Sequence, residues 1–220
     1  MIKAIIFDMD GVLVDSPKYV WQSNNQLLSK YNIHVSDGKI KKYLGRSLRD
    51  QLNLIIKDFG IKEEIDYKDF SKKSFELQMS FMRESVKPNK YINRLIESAK
   101  KSGIKLAVGT SRERFKAEKI LGMLEILDKL DTIVTEEDVK KHKPYPDVFL
   151  KAAEKLKVEP ESCVVFEDAV NGIQAARNAN MKVVAMKTKF QDESDLKDAD
   201  LIINNFSEID IDKLKEIFVK

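Results

Sequence analysis

Four short clusters of polar residues carry side chains that could perform chemistry on a phosphate ester. The first is Asp8-Met9-Asp10-Gly11, in which two carboxylates stand two residues apart. One carboxylate can attack phosphorus as a nucleophile, and a second can protonate the leaving oxygen and then activate water. A calcium-like loop or a helix cap would explain the same spacing, so this cluster alone leaves the choice open.

The other three clusters add the remaining parts of a phosphoryl-transfer site. Thr110 and Ser111 offer hydroxyls that could hold a phosphate oxygen or simply cap a helix. Lys143 precedes a proline and could neutralise a nucleophile and a phosphoryl group, or be a solvated loop lysine. Glu167 and Asp168 are adjacent carboxylates that Mg²⁺ could pair with, although Asp168 could also cap a helix. Nucleophile, acid and base, hydroxyl anchor, lysine and metal carboxylates together make a complete set.

Short apolar runs that alternate with helix-period segments predict the sheet that must position these clusters. Such alternation is typical of a parallel α/β sheet, and several runs are apolar throughout, as strands covered on both faces should be. The six strand candidates are residues 4–7, 106–108, 132–134, 164–166, 183–185 and 201–203. Each polar cluster follows one of the first four candidates. All four clusters should therefore meet at the carboxyl edge of one sheet, where ligands of such sheets bind.

Residues 16–85 interrupt this alternation and predict an inserted helical domain. An apolar stripe at helical spacing runs over 48–59 and ends at Gly60. We therefore predict an α/β protein with a Rossmann-like parallel sheet core, residues 1–15 and 86–220, and an all-helical cap, residues 16–85.

Composition excludes several other classes of protein. The chain has 220 residues, of which 43% are hydrophobic and 34% charged, as in a folded domain that carries an insertion. Its net charge of +3 is too small to argue for nucleic acid, and its one cysteine, Cys163, can form no intramolecular disulfide. No apolar run reaches the roughly 18 residues of a membrane span. We expect a cytoplasmic protein without nucleic-acid or membrane partners, and its oligomeric state stays open.

In their order along the chain, the clusters resemble the four motifs of the haloacid dehalogenase superfamily of phosphotransferases. Residues 8–16 resemble the first motif closely, and Thr110, Lys143 and Glu167-Asp168 match the second, third and fourth. The resemblance covers essentially the whole chain. It is strongest to the beta-phosphoglucomutase-like subfamily, which carries a helical cap after its first motif.

This resemblance implies a role for each matching residue of the catalytic set. Asp8 would be the nucleophile and a Mg²⁺ ligand. Asp10 would be the general acid and base, and its backbone carbonyl would also bind Mg²⁺. Thr110 and Lys143 would hold the transferring phosphoryl group.

The resemblance also implies the residues that bind metal and substrate. Asp168, with Glu167, would complete the Mg²⁺ site, and Gly11, Ser111 and Arg49 would contact the substrate. Arg49 corresponds to the cap arginine that meets the distal phosphate in beta-phosphoglucomutase. A surface arginine on the first turn of a helix would explain Arg49 almost as well.

Two departures from the mutases bear on the reaction. Val20 stands where the mutase has a histidine that couples substrate binding to acid/base positioning, and Glu113-Arg114 replaces a Lys-Asn pair. We therefore expect a Mg²⁺-dependent phosphatase that hydrolyses small phosphorylated metabolites, such as sugar phosphates, through an aspartyl-phosphate. The alternatives are a beta-phosphoglucomutase-type phosphosugar mutase and, less favoured, a non-catalytic phosphometabolite-binding protein.

Overall fold

A parallel β-sheet lies at the centre of the computed structural model, which describes residues 1–218. Its strands are β1 Ala4–Phe7, β2 Lys105–Gly109, β3 Thr132–Val134, β4 Cys163–Glu167, β5 Lys182–Met186 and β6 Leu201–Ile203. They lie in the order β3-β2-β1-β4-β5-β6, and every neighbouring pair is parallel. All six strand predictions are confirmed to within one residue at either end. Because the chain order reverses at β1 and β4, the ligand crevice of such a sheet is expected beyond the ends of these two strands.

The sheet is buried on both faces, which explains why its strands read as continuous apolar runs. In β1, Ile5 and Phe7 belong to the core on one face, and Ala4 and Ile6 belong to the core on the other. Every residue of β1 and of β4 is buried. Alternate side chains of a strand point to opposite faces, so a strand with two covered faces has no position that faces solvent.

Helices surround the sheet and fill the connections between its strands. They are α1 Pro17–Leu28, α2 Asp37–Ile40, α3 Leu48–Phe59, α4 Tyr67–Met82, α5 Lys90–Lys101, α6 Arg114–Met123, α7 Asp147–Leu156, α8 Val170–Asn178 and α9 Ile211–Phe218. The helix predicted over 48–59 is confirmed, and it ends at Gly60, whose φ of +65° suits a glycine C-cap. At its start, the Ser47 hydroxyl accepts a hydrogen bond from the backbone N–H of Asp50.

The helices α1 to α4 lie within residues 16–85, between β1 and α5, and this segment contains no strand. They have an apolar core of their own, in which the Trp21 and Tyr43 rings lie 5.6 Å apart. The predicted fold class, a Rossmann-like parallel sheet with a helical insertion, is confirmed. The division at 15/16 and 85/86 stays a prediction, and residues 219–220 of its second core segment lie outside the described residues.

Candidate active site

Asp8 is placed at the sheet edge by the strand that precedes it. Its backbone N–H donates to the carbonyl of Phe166 in β4, which continues the β1–β4 pairing by one residue. The chain then turns at Gly11, whose φ is +86°. A Cβ atom at Gly11 would overlap the carboxylate of Asp168. A glycine is therefore needed here both for the turn and for the close approach of the loops after β1 and β4.

Lys143 lies behind Asp8 and joins it to Glu167. Its Nζ is 2.5 Å from Asp8 Oδ1, 2.8 Å from Glu167 Oε1 and 3.3 Å from the carbonyl oxygen of Gly109. The Lys143 side chain is only 1% exposed and that of Glu167 is fully buried. Burial alone would lower the pKa of Lys143, but Asp8 and Glu167 raise it, so the ammonium stays charged. A charged group this deeply buried persists only where partners of opposite charge satisfy it.

The second carboxylate oxygen of Glu167 fixes the loop that follows β4. Its Oε2 accepts hydrogen bonds from the backbone N–H groups of Asp168 and Ala169, both at 2.7 Å. Gly172 in α8 makes room for this carboxylate, since a Cβ there would overlap it. Both oxygens of Glu167 are thus engaged within the protein, which is the geometry of a positioning residue.

Asp168 is buried, and its carboxylate receives no hydrogen bond from residues 1–218. Its Oδ2 has no hydrogen-bond partner within residues 1–218. Burial, followed by the charges of Glu167, Asp8 and Asp10, raises its pKa well above the ordinary value. Burial likewise raises the pKa of Asp8 to about 7, with Lys143 opposing the shift. Excess negative charge at a buried edge is what a bound divalent cation would relieve.

The donors present fit a hard cation such as Mg²⁺. In the described part of the chain, no three His, Cys, Asp or Glu side chains are grouped as metal ligands. Mg²⁺ does not require such a group, because it is held by one or two carboxylates and completes its shell with water and phosphate oxygens. The free Oδ2 of Asp168 and the cavity-lining carboxylate of Asp8 meet that smaller requirement.

Asp10 is clamped by an arginine that the motif analysis did not single out. Arg112 Nε donates to Asp10 Oδ2 at 2.6 Å and Nη2 donates to Oδ1 at 2.7 Å, and the Ser16 hydroxyl also donates to Oδ1. Burial pushes the pKa of Asp10 up, but Arg112 and Ser16 outweigh it and lower the pKa. Arg112 Nη1 reaches Gln78 in α4 at 2.9 Å, so one guanidinium joins Asp10 to the helical insertion.

The hydroxyl residues after β2, Thr110 and Ser111, lie beside Asp8 and Asp10 at the edge of the sheet. Thr110 is 1% exposed, and its hydroxyl accepts a hydrogen bond from the backbone N–H of Arg112 at 3.3 Å. The Ser111 hydroxyl donates to the carbonyl oxygen of Gly45 at 3.3 Å. Both residues cap no regular helix, because α6 begins only at Arg114. Their side chains are placed for contact with a ligand or with the insertion.

One cavity of about 100 Å³ between the sheet edge and the helices unites most of the predicted site. Asp8, Asp10, Thr110, Ser111 and Asp168 all line it. Across the cavity stand residues of the insertion and of the loops that face it; these are Pro17, Val20, Trp21, Leu44, Gly45, Arg46, Leu48, Gln51, Tyr67, Ser71, Ser74, Phe75 and Gln78. Lys143, Glu167 and Gly11 lie outside this lining and support it.

Among the predicted site residues, Arg49 lies apart both from the cavity lining and from the residues that support it. It is exposed, and its guanidinium carbon lies 3.9 Å above the centre of the Tyr67 ring. Arg46, three residues earlier, lines the cavity instead. Arg49 sits on the first turn of α3 and points over Tyr67, whereas Arg46 lies in the loop before that helix.

The sequence motifs also missed Arg112, Glu113, Lys116 and Glu136, which line the cavity. A signal existed, because Arg112-Glu113-Arg114 is a run of alternating charge that directly follows the hydroxyl cluster at the carboxyl end of β2. Glu136 gave no comparable signal. It lies in a short acidic turn after β3 that could equally have been solvated.

The match to a protein family covers most of the sheet and all four polar clusters. A model described as "Haloacid dehalogenase-like hydrolase" matches residues 5–186. The chain belongs to the haloacid dehalogenase-like hydrolase family. That match runs from β1 to the end of β5 and so includes all four polar clusters.

Relatives and solved structures carry phosphatase and phosphomutase names. "Phosphorylated carbohydrates phosphatase" of Thermotoga maritima is 30% identical over 181 residues, which cover 82% of this chain and 83% of that one. "Fructose-1-phosphate phosphatase YqaB" of Escherichia coli is 32% identical over 183 residues, with 83% and 95% covered. A crystal structure of beta-phosphoglucomutase from Clostridium difficile superposes with a TM-score of 0.87 at 27% identity, covering 99% of this chain and 97% of that one.

These matches confirm the resemblance to the beta-phosphoglucomutase-like subfamily and the expected enzyme class. The chain is a phosphoric monoester hydrolase of the haloacid dehalogenase type, within a family of phosphatases and phosphomutases. Across residues 1–218, every helix is too short or too polar to cross a bilayer.

Proposed function

We propose that the chain is a Mg²⁺-dependent phosphatase that passes the phosphoryl group of a small ester to Asp8 and then to water. The position of Asp8 supports this most directly. Its carboxylate lines the cavity, while Lys143 holds Oδ1 from behind at 2.5 Å. A carboxylate held in one orientation, in a site that limits water, is what nucleophilic attack on phosphorus needs.

In the first step a carboxylate oxygen of Asp8 forms a bond to phosphorus, and the bond between phosphorus and the ester oxygen breaks. Lys143 and the Thr110 hydroxyl stabilise negative charge on the phosphoryl group. The departing alkoxide takes a proton from Asp10. In the second step Asp10 takes a proton from water, which attacks phosphorus and releases phosphate from Asp8.

Asp10 must change its partners between these two steps. The Arg112 clamp and the Ser16 hydroxyl favour the ionised form of Asp10, which is the form that activates water. Protonation of the leaving oxygen requires that Asp10 leave Arg112 and gain a proton once the ester is bound. Loss of Asp10 should therefore matter most for poor leaving groups, at about 10²–10⁴-fold in kcat.

Mg²⁺ would be held by the carboxylates of Asp8 and Asp168 and by the backbone carbonyl of Asp10. When bound, it neutralises phosphoryl oxygens and helps to orient the ester. Glu167, with both oxygens engaged, would position Lys143 and the Asp168 loop and would touch the metal only through Asp168.

Phosphate release from p-nitrophenyl phosphate, with Mg²⁺ and with excess chelator, tests this function. We expect activity only with Mg²⁺, and we expect Asp168→Ala to raise the Mg²⁺ concentration needed for half of the maximal rate. The matched variant Asp198→Ala, at an aspartate far along the chain in the turn after the segment 193–196, should leave that concentration unchanged. Full activity in the chelator would contradict the metal requirement.

The names of two relatives support a substrate class. The Thermotoga protein is named for phosphorylated carbohydrates and the Escherichia coli protein for fructose 1-phosphate. Together with the small volume of the cavity, they support a small phosphorylated metabolite such as a sugar phosphate.

A mutase is the second candidate, because the Clostridium difficile structure of that name superposes over nearly the whole chain. Val20 argues against it. Val20 lines the cavity, and its isopropyl group can offer no proton where the mutase has a histidine. With β-glucose 1-phosphate and a phosphoryl donor, we expect phosphate to be released faster than glucose 6-phosphate forms. The opposite order would favour the mutase.

A further inference from the structure

One part of the cavity is rich in acceptors and carries surplus negative charge. We call Glu113, Lys116 and Glu136 the acidic end of the cavity, since all three line it and two of them are carboxylates. Glu113 and Lys116 are paired at 2.9 Å, which leaves Glu136 without a neutralising partner of its own. Neither carboxylate belongs to the motifs of the phosphoryl-transfer site.

Glu113 is anchored through one oxygen only. The Tyr67 hydroxyl, the Ser71 hydroxyl and Lys116 Nζ all donate to its Oε1, at 3.1, 2.9 and 2.9 Å. Tyr67 and Ser71 belong to α4, so these bonds tie the insertion to the loop after β2. Among the described residues Oε2 receives no hydrogen bond, and it remains able to accept one from a ligand.

Glu136 is half-buried and has more acceptor capacity than Glu113. Its backbone N–H donates to the carbonyl of Arg112, which brings the acidic turn after β3 beside the site. Within residues 1–218 its carboxylate receives no hydrogen bond, and the charge of Glu113 acts against it. An acceptor-rich wall of this kind is complementary to O–H or N–H donors and repels anions.

We infer that Glu136, together with Glu113, is a specificity-determining residue that selects an uncharged, hydroxyl-rich leaving group and excludes esters with a second anionic group. This rests on the proposed phosphatase function and names the substrate class of that same site. A sugar or polyol hydroxyl can donate to the free oxygens of both glutamates. A second phosphate or a carboxylate at this end would face both glutamates, of which only Glu113 is paired with a cation, Lys116.

Arg46 is the cation that could act in the opposite sense. It lines both this cavity and an outer groove beside Lys42, and its Nε donates to the Lys42 carbonyl at 3.4 Å. Arg46 therefore stands at the mouth, where it attracts any phosphate ester. Selection between esters is left to the acidic end.

Two matched pairs of esters test the inference. Glycerol 3-phosphate and 3-phosphoglycerate differ by a hydroxymethyl group against a carboxylate, and fructose 1-phosphate and fructose 1,6-bisphosphate differ by one phosphate. At pH 8, above the pKa of about 7 that burial gives Glu136, we expect the wild type to prefer the member with the single anionic group by about tenfold or more in kcat/KM. Glu136→Gln should reduce both preferences by at least about threefold. Glu137→Gln, an exposed neighbour outside the cavity, should leave both ratios unchanged.

The outcomes separate this inference from the function on which it rests. If the wild type turns over p-nitrophenyl phosphate but prefers 3-phosphoglycerate and the bisphosphate, the specificity inference is wrong and the phosphatase stands. Equal ratios in the wild type and Glu136→Gln, with both proteins folded by thermal melting, would also overturn it. If no ester releases phosphate, the proposed function is wrong, and the specificity inference that rests on it is wrong as well.

Discussion

The two sides of the cavity differ in how completely their polar groups are hydrogen-bonded. On the sheet side, Asp8, Lys143 and Glu167 form a closed set in which nearly every polar atom has a partner. On the helix side, Gln51 Oε1 and Gln78 Nε2 are buried without hydrogen-bond partners in the described chain. A side with satisfied groups is preorganised for one chemistry, whereas a side with free donors and acceptors is ready to receive different ligands. We infer that the hydrogen-bonded set on the sheet side fixes the reaction, and that the substrate is selected where the helix side meets the acidic end of the cavity.

The largest loss of stability and activity should follow from removing the cation of the set formed by Asp8, Lys143 and Glu167. Lys143→Met would leave Asp8 and Glu167 buried without their cation, which should cost about 3–5 kcal/mol of unfolding free energy and nearly all activity. Lys140→Met, at an exposed lysine nearby, supplies the control and should change the unfolding free energy by less than about 0.5 kcal/mol. Urea unfolding of both variants measures the difference. A Lys143→Met variant as stable as its control would show that Asp8 and Glu167 do not depend on Lys143 to compensate their charge.

A smaller effect should follow from crowding the same set without removing a charge. Gly172→Ala places a methyl group on the Glu167 carboxylate, and it should destabilise the protein by about 1–3 kcal/mol and slow phosphate release. Gly122→Ala is the matched helical control, because nothing beyond its chain neighbours and its own helix backbone lies within 4 Å of the new Cβ. That variant should be neutral or more stable by up to about 1 kcal/mol. Equal stabilities of the two variants would contradict the close fit around Glu167.

On the acidic end of the cavity, the expected effect depends on pH. Burial raises the pKa of Glu136 from 4.5 to about 7, the charges of Glu113, Glu137 and Asp50 add to this, and Lys116 opposes it. Protonated Glu136 therefore favours the folded state below pH 4.5, and this contribution is lost as the pH rises through 7.

Thermal unfolding at pH 5 and pH 8 checks that sign. Glu136→Gln lacks the titration, so its melting temperature should gain on the wild type between pH 5 and pH 8. Glu161→Gln, at an exposed glutamate between α7 and β4, provides the reference curve. If Glu136→Gln melts above the wild type at pH 5 but not at pH 8, the pKa of Glu136 is not raised in the folded state.

The smallest effect is expected at Arg49, the predicted substrate contact that stacks on Tyr67. Because Arg49 is exposed and does not line the cavity, Arg49→Ala should change KM for sugar phosphates by less than about threefold. Arg46→Ala removes a cavity-lining cation and should raise KM more. A larger KM increase for Arg49→Ala than for Arg46→Ala would restore Arg49 as the arginine that meets the substrate.

The residues on the sheet side were predictable from the sequence because they directly follow strands whose ends lie at one edge of the sheet. Asp8, Thr110 and Glu167-Asp168 follow apolar runs, and parallel strands bring such ends together whatever the details of packing. Lys143 was found through its motif, although it lies nine residues after β3, and its burial behind Asp8 was visible only in the structure.

The helix side was not predictable because its contacts join elements that are distant in sequence. Gln78 meets Arg112 across 34 positions, and Ser71 meets Glu113 across 42. Helical periodicity indicates which face of α4 is apolar, but it does not say which loop the polar residues at the border will touch. Arg49 and Arg46 differ by less than one turn, and only the packing of α3 decides which of them faces the cavity.

The central claim is that Asp8 carries the phosphoryl group, and the most direct measurement is phosphate release by Asp8→Asn. Asparagine nearly preserves the shape of the side chain, but its amide cannot attack phosphorus. The exposed Asp15→Asn, which loses only a surface ion pair with Lys18, provides the control. We predict that Asp8→Asn melts cooperatively yet releases no measurable phosphate with Mg²⁺, while Asp15→Asn keeps the wild-type rate. Phosphate release by folded Asp8→Asn at the rate of the wild type would contradict the account.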